Sequence, residues 1–436
     1  MKIPEKLEIF SKLFFDSFQT PLYIVGGFVR DNIIGIENKD IDLCSSITPD
    51  ILKDFLIQNR INFYAPGEKF GTVIIRFEGL EFEHTTLRCD IKTDGRHAKV
   101  EYINSLEEDS KRRDLTVNAI YYDIQNKKLL DPQNGVRDLK DQKARFIGDT
   151  KKRIQEDYLR IPRYFRFSDL YDLKRDEKDV NIIKENSSGY ECVSVERSVN
   201  EILTWLKKGV KDYKTFLEMV TLLSPVDRFC KYLKLLYDTR QNHPMHDREN
   251  VLFHTLDLID HFNNNYKNRE DREYYILLFH DYYKPYTITT DEDDITHFYG
   301  HDNPNSRVEK ELKKLRIPKA TISDIRFFIK AHLRINMYIN GNITKKNDIF
   351  PIIYDMYDMA GKHFLNTFKR LRRLFEVETS IKGNKVMTLE DLENEIQLFL
   401  GILKEIDIKK IAQNTHERSL IRSSIRKALK TRFISL

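Results

Sequence analysis

Val25-Gly26-Gly27-Phe28-Val29-Arg30-Asp31, then Gly35, then Lys39-Asp40-Ile41-Asp42-Leu43-Cys44, is the stretch that decides how this chain reads. Leu22 to Val25 is a short apolar run ending on two glycines, and Lys39 to Cys44 alternates, with Ile41 and Leu43 against Asp40 and Asp42. Successive side chains of a strand point to opposite faces, so Asp40 and Asp42 are expected to project side by side while Ile41 and Leu43 enter a core. Two carboxylates so close repel each other unless a cation lies between them. Metal-dependent phosphoryl transfer needs such a pair, to lower the pKa of an attacking hydroxyl and to bind a polyphosphate. Asp-x-Asp alone also describes a solvated strand end. The glycines upstream supply context: at a strand-to-helix junction they let backbone amides approach phosphate, and a helix N-terminus favours anions.

Outward from this stretch the first third reads as α/β. Thr48-Pro49 is a helix start, a capping residue followed by proline at the first helical position. Gly71 to Phe77, Leu80 to Arg88 and Val117 to Asp123 read as strands, with a tight turn at Gly79, and Asp131-Pro132-Gln133-Asn134-Gly135 reads as a loop. Beyond Gly148 apolar residues recur at helical spacing and the chain is expected to be almost wholly α-helical, with Asn263-Asn264-Asn265 as a loop. At 436 residues the chain exceeds one core at roughly 100–200 residues per domain. We divide it into 1–145, 146–240, 241–360 and 361–436. No apolar run suits a membrane span, no secretory leader is evident, and the four cysteines form no CxxC pair, so a reducing, cytoplasmic setting is expected. A net charge of +5 is mild, so basic charge matters only where it clusters.

The glycine segment and Asp40-Ile41-Asp42 resemble the signature of class II CCA-adding enzymes and bacterial poly(A) polymerases, of the polymerase β-like nucleotidyltransferase superfamily. The resemblance runs in order over about residues 20–165. It implies an α/β nucleotidyltransferase head followed by an all-α neck, body and tail, with Asp40 and Asp42 catalytic and holding two magnesium ions. Glu83 resembles a third acidic group of some relatives. Gly26, Gly27 and Arg30 then face the nucleotide. Asp109, Arg112, Arg113 and Asp114 combine cations suited to phosphate with carboxylates suited to a ribose hydroxyl, and resemble the family's second motif. A surface salt-bridge cluster would read the same way. The 131–135 loop resembles the hinge between head and neck, and Arg88, Asp90 and Asp94-Gly95-Arg96-His97 resemble the flexible loop linked to adding the terminal A.

Glu156-Asp157-Tyr158-Leu159-Arg160 resembles the family's Glu-Asp-x-x-Arg element. On one continuous helix Asp157 and Arg160 would share a face. Cytosine N4 and adenine N6 are amino donors that a carboxylate accepts. Their neighbouring ring nitrogens accept from an arginine. Uracil and guanine place a carbonyl where the amine would be, which leaves the pair unsatisfied. The resemblance makes Asp157 and Arg160 the base readers, Glu156 the residue that orients Arg160, and Arg163 a support. Pro162 is out of place mid-helix and is expected to kink it.

Farther on, His254, then His280-Asp281 followed by Lys284-Pro285, then His301 and His332, offer metal ligands from several helices. His254 with His280-Asp281 resembles an HD domain, which forms the C-terminal part of some bacterial CCA-adding enzymes and acts there as a phosphohydrolase. That implies a second metal site at His254, His280, Asp281 and His301, suited to a transition metal. Asp355 and Asp358 both compete for its last ligand, and Tyr283 stands where the family carries glycine. Arg418, Arg422, Arg426 and Lys430 recur every four residues and make one basic helix face suited to an RNA backbone, with Lys369, Arg370, Arg372 and Arg373 as a second basic group. The expected partners are tRNA, CTP and ATP, without a membrane. A poly(A) polymerase, an enzyme adding only CC or only A, and an HD phosphohydrolase with a nucleotide-binding head remain the alternatives.

Overall fold

A computed structural model describes residues 1–93, 98–242, 248–380, 386–406 and 418–435. Residues 94–97, which include Asp94, Gly95, Arg96 and His97 of the expected flexible loop, and the side chains of Asp90 and Arg418 lie outside what is described. The chain divides into two compact units, Met1–Glu201 with Lys214–Asp227, and Ile202–Tyr213 with Arg228–Leu436.

The first unit is built on β1 (Tyr23–Val25), β2 (Asp42–Ser45), β3 (Asn62–Tyr64), β4 (Thr72–Phe77), β5 (Leu80–Thr86), the separate hairpin β6 (Arg88–Thr93) and β7 (Ala98–Tyr102), β8 (Tyr121–Asp123) and β9 (Lys128–Leu130). Seven strands form one mixed sheet in the order β3-β4-β5-β2-β1-β8-β9. Its pairs are antiparallel except β2 with β5, where Asp42 stands opposite Glu83. A turn at Glu78-Gly79, both with positive φ, closes β4 onto β5.

The register sorts side chains onto two faces. Leu43 and His84 share one face with Phe82, where α1 (Glu5–Phe18) and α3 (Pro49–Gln58), flanking α2 (Gly27–Ile33) in sequence, bring Phe10, Phe14 and Phe55 into an aromatic core. Cys44, Val25 and Tyr121 pack on the opposite face with Leu87 and Leu106. Asp42 and Glu83 share that opposite face by parity, so the carboxylates lie away from the aromatic core. Asp40 and Ile41 precede the strand proper, yet the alternation holds: Asp40 and Asp42 are exposed, Ile41 and Leu43 buried.

Two strand expectations change. Thr116–Asn118 is a 3-10 turn, leaving only Tyr121–Asp123 extended, and the run through Arg88 divides into β5 and β6. After α4 (Leu106–Lys111), the Asp131 carboxylate accepts from the Gly135 and Val136 amides at 2.7 and 2.9 Å and caps α5 (Gly135–Lys140). A Cβ on Gly135 would stand 2.1 Å from the Thr116 carbonyl oxygen, so this turn tolerates only glycine. β10 (Lys143–Ala144) and β11 (Lys174–Arg175) form a small parallel pair between helices α6 (Thr150–Glu156), α7 (Arg160–Leu170), α8 (Glu177–Asn186) and α9 (Val195–Lys208).

The segment thought to be one helix through Arg163 is two. α6 stops at Glu156, Asp157 is extended at φ −155° and ψ 105°, and α7 starts at Arg160. Pro162 therefore sits in the first turn of α7, where amides lack an intrahelical acceptor, and interrupts nothing.

After α10 (Tyr213–Leu223), the second unit carries α11 (Arg228–Asp238), α12 (Val251–Asn265), α13 (Asp271–Phe279), α14 (Lys284–Thr287), α15 (Ser306–Lys314), α16 (Lys319–Ile339), α17 (Lys346–Ala360), α18 (Phe364–Ser380), α19 (Leu389–Glu405) and α20 (Arg418–Ser435), with a hairpin Ile288–Thr290 and Thr296–Phe298 as the exception to its helical content. Asn263 to Asn265 end α12 rather than forming a loop, because the Asn263 side chain donates to the Leu206 carbonyl and accepts from the Tyr274 hydroxyl. Among the described residues no helix is long and apolar enough to cross a membrane.

Candidate active site

The three carboxylates meet on one sheet face. Asp42 and Glu83 are register partners on neighbouring strands, and Asp40 lies two residues before Asp42 on the same side. Asp42 keeps open surface at the mouth of the site but is packed round on its other sides. That loss of water, with the Glu83 and Asp40 charges, pushes its carboxyl up to about 6 against the pull of Arg113. A carboxylate cluster with this unmet repulsion fits a divalent cation, and an all-oxygen donor set fits a hard one.

The second motif folds inward around Asp109, which is fully buried. Its Oδ1 accepts from Arg112 Nε at 2.8 Å and the Arg88 amide at 3.2 Å, and its Oδ2 from the Tyr121 hydroxyl at 2.8 Å and Arg113 Nε at 3.4 Å. Burial works against its charge, but Arg113 and Arg112 hold it below the usual carboxylate range. Its acceptors are therefore occupied in aiming the two arginines. Asp114 is also buried, accepting from Arg163 Nε at 2.7 Å, the Leu115 amide at 2.8 Å and Asn118 Nδ2 at 3.0 Å. Burial is outweighed there by Arg163, which keeps Asp114 well below its ordinary range.

Arg30 is likewise occupied within the fold. It is 2% exposed, its guanidinium lies 3.8 Å over the Tyr171 ring, and it bonds Asp31, Asn118 and the Tyr171 hydroxyl. It clamps α2 to the segments around Asn118 and Tyr171. Gly26 adopts φ +76°, which glycine alone takes at no cost, and its amide donates to the Ile120 carbonyl at 3.1 Å, so that amide serves the turn and not a phosphate.

The Glu-Asp-x-x-Arg element is fastened to this motif. Arg160 donates to Glu156 Oε2 at 2.7 Å, the Arg153 carbonyl at 2.8 Å and the Arg112 carbonyl at 2.9 Å. Arg153 bonds the same Glu156 and reaches the Arg112 and Arg113 carbonyls at 2.5 and 2.6 Å. Arg163 ties Asp114 to this helix, and Asp157 stays partly open at the break between α6 and α7. The sequence missed Arg153 and Arg197. Arg153 lies one turn before Glu156 and was readable as its partner; Arg197, which holds Asp157, lies too far along the chain to be paired by spacing.

Residues 22–145 match the family described as Poly A polymerase head domain. The chain is 43% identical over 186 residues to human CCA tRNA nucleotidyltransferase 1, mitochondrial, covering 40% of this chain and 41% of that protein. It is 38% identical over 177 residues to the CCA-adding enzyme of Ligilactobacillus salivarius (strain UCC118), covering 40% of this chain and 43% of the relative. The match thus spans about two-fifths of these relatives' length. Two solved structures share the fold over most of the chain. One is the Bacillus stearothermophilus CCA-adding enzyme in complex with CTP, with a TM-score of 0.53 at 21% identity, covering 86% of this chain and 83% of that one. The other is a CCA-adding enzyme in apo form II, with a TM-score of 0.60 at 18% identity, covering 99% and 93%. A nucleotidyltransferase head with a helical remainder is the fold of this chain.

The second unit holds its own cluster, separate from the head domain. His254 from α12, His280 and Asp281 just after α13, His301, and His332 from α16 are all buried, and form two overlapping groups that share Asp281. His280 Nε2 lies 3.0 Å from Asp281 Oδ2, and His301 and His332 Nε2 lie 3.8 and 3.6 Å from Oδ1. The Nδ1 atoms of His280, His301 and His332 each meet a backbone carbonyl, at 2.7, 2.6 and 2.9 Å. A carbonyl only accepts, so Nδ1 donates and the other ring nitrogen faces inward, the arrangement of metal-ligating histidines. Lys284 Nζ, 2.7 Å from Asp281, also bonds Gln241. Burial pushes His301 down to about 4. Burial also opposes charge on His280, but Asp281 and Glu378 hold it above its ordinary value.

Neither Asp355 nor Asp358 joins this cluster. Asp355 pairs with Arg334 at 2.8 Å and Asp358 is exposed. The acid beside the histidines is Glu378 of α18, 4% exposed, with Oε2 at 3.8 Å from His280 and no hydrogen-bond donor on that oxygen among the described residues. The second basic group is also neutralised: Lys369 and Arg372 pair with Glu393, Arg370 with Asp324, and Arg373 with Glu273. On α20, Leu429 and Phe433 are buried, Arg422 and Arg426 are exposed, and Lys430 is partly so, with Arg426 4.9 Å over the Tyr354 ring.

Proposed function

We propose that this chain adds C, C and A to tRNA 3′ ends from CTP and ATP, without a template and with release of pyrophosphate. The observation that carries this is the fastening of the base-selecting segment to the second motif, through Arg153 and Arg160 on the Arg112 and Arg113 carbonyls. A head that only bound nucleotide would not need a reader fixed to its phosphate-facing arginines. Asp40, Asp42 and Glu83 would hold divalent metal, with magnesium suited to the oxygen set. When bound, the metal supplies a lowered hydroxyl pKa and charge neutralisation at the triphosphate. Arg113 and Arg112, aimed by Asp109, meet phosphate. Asp157 accepts the amino group of cytosine or adenine while Arg160 donates to the neighbouring ring nitrogen. UTP and GTP leave both groups unpaired at a cost of about 1–3 kcal/mol each. The exposed Arg422 and Arg426, with the partly exposed Lys430, are suited to the tRNA backbone, and the sequence spacing adds Arg418. Cysteines without disulfides suit a reducing compartment such as the cytoplasm.

The test supplies tRNA transcripts ending at the discriminator base, at C and at CC, with magnesium and each nucleotide alone or paired. Stepwise C, C, A addition that then stops supports the proposal. A long A tail favours a poly(A) polymerase, and addition halting at CC, or occurring only on the CC transcript, favours a partial enzyme.

A second reading, for the second unit alone, rests on the three inward-facing imidazoles around Asp281. The nitrogen-rich set of His254, His280, His301 and His332 with Asp281 and Glu378 suits a transition metal and a phosphohydrolase. Metal analysis of the purified protein checks it: bound metal is expected, and His280→Ala should remove it together with hydrolysis of a simple phosphomonoester.

A further inference from the structure

Asp40 stands outside the strands that hold Asp42 and Glu83. β2 starts at Asp42, and the Glu83 amide reaches back only to the Ile41 carbonyl, at 3.1 Å. The Asp40 amide donates instead to a side chain, Asn38 Oδ1, at 2.9 Å. The other end of that side chain, Nδ2, donates to Asp31 Oδ2 at 2.7 Å. Asp31 is buried, and its Oδ1 accepts from Arg30 Nε at 2.9 Å. Arg30 then bonds Asn118 and the hydroxyl of Tyr171, the residue that ends α7. Local sequence brings Asn38 to this place. Gly35, at φ +75°, turns the chain after α2, and the Ile36 amide donates to the Asp31 carbonyl at 2.8 Å, which folds the next residues back along the helix. The neighbours also fix which way the Asn38 amide faces. A carboxylate only accepts and a backbone amide only donates, so Nδ2 meets Asp31 and Oδ1 meets Asp40.

The geometry points to Asn38 as a positioning residue that holds Asp40 ready for metal. This rests on the nucleotidyl transfer and the carboxylate site proposed above. Asp40 is exposed, and the like charges of Asp42 and Glu83 push it away from the cluster. Without a tether the segment ahead of β2 relieves that repulsion by swinging outward. A divalent cation must then order it on binding, at a cost in chain entropy. With Asn38 in place the backbone of Asp40 is fixed before the cation arrives, and the fixed point is the buried Asp31, itself anchored through Arg30. Asn38 acts through the Asp40 backbone and touches neither metal nor nucleotide. Other short polar residues do half of this. Serine still caps the amide two residues on but is too short to reach Asp31.

The test titrates magnesium into wild type, Asn38→Ala and Asn38→Ser and takes two readouts. The first is CTP incorporation onto a tRNA transcript ending at the discriminator base. The second, without nucleotide or RNA, is the rise in Tm of the metal-free protein as magnesium is added, with Asp42→Ala marking the part of the rise that belongs to the head cluster. For Asn38→Ala the magnesium concentration at half-effect should increase by roughly 3- to 10-fold in both readouts, the scale of one hydrogen bond. At saturating magnesium kcat should return to within about threefold of wild type, since the metal then orders Asp40 by mass action. Asn38→Ser should shift the half-effect in the same direction by a smaller factor. A merely structural role would lower kcat at every magnesium concentration and leave the half-effect unchanged, and that result overturns the proposal. An Asn38→Ser protein identical to wild type also overturns it, because the bond to Asp31 would then be idle. If Asn38→Ala does not fold, Asn38→Ser alone is read against wild type by the same criteria. A wild-type protein that incorporates no nucleotide defeats the transfer reaction itself, whereas an active wild type with an unshifted variant defeats only the role of Asn38.

Discussion

The two acidic centres of this chain are built by opposite means. The head domain places Asp40, Asp42 and Glu83 on an open sheet face, with oxygen donors only and a carboxyl at Asp42 raised to about 6. The second unit buries four histidines, Asp281 and Glu378 among its helices, with the ring nitrogens of His280, His301 and His332 turned inward by carbonyl bonds. An open cluster admits the end of a polymer and a triphosphate together. A buried, nitrogen-rich cluster holds metal more selectively and meets smaller groups. On the proposed reading, the site for extending a chain and the second metal-binding site draw on different residues and different donor chemistry.

The largest effect that would sharpen this contrast comes from Asp42→Ala. Incorporation should fall at least about 1,000-fold, since the interaction removed acts in the transition state, while metal in the second unit is retained. Loss of both together would break the separation. Arg160→Ala should lower kcat/KM for CTP and ATP by about 100-fold and narrow their preference over UTP and GTP, because a charged donor is lost and Glu156 keeps only Arg153 as its partner. In the other centre, His280→Ala should strip bound metal yet leave nucleotide incorporation within about threefold, measured on the same preparation.

A smaller effect concerns pH. The folded Asp42 carboxyl is raised from 3.8 to about 6, so the folded form holds the proton more tightly than the unfolded chain does. Its stabilising contribution is complete below about 3.8 and lost as pH rises through about 6. In metal-free protein Asp42→Asn should therefore raise Tm at pH 7 more than at pH 4, and should blunt the Tm gain on adding magnesium. An equal change at both pH values would contradict the repulsion assigned to Asp42. The smallest effect belongs to α20: Arg422→Ala should weaken tRNA binding a few-fold and flatten its salt dependence by about one counterion.

Local pattern carried the first centre. The alternation of Asp40, Ile41, Asp42 and Leu43 survives intact, even though the strand starts only at Asp42. The partner of Asp42 across the sheet was legible only as a resemblance, since register between β2 and β5 is a tertiary property. Buried polarity was the harder quantity. Asp109 and Arg30 look like nucleotide contacts in sequence because charge is expected outside, yet both are satisfied within the fold. Pro162 carried a signal that was misplaced: it marks the first turn of a new helix, and so the break that frees Asp157. Glu378 had no local signal at all. It lies on an ordinary amphipathic helix far along the chain from His280, and only its burial betrays it.

The account rests most on selection of C and A by Asp157 and Arg160 without a template. Its most direct test incubates a tRNA transcript ending at the discriminator base with all four nucleoside triphosphates and magnesium, then sequences the extended 3′ ends. The ends should read CCA and stop. Ends carrying U or G, or runs of A beyond one residue, would contradict it.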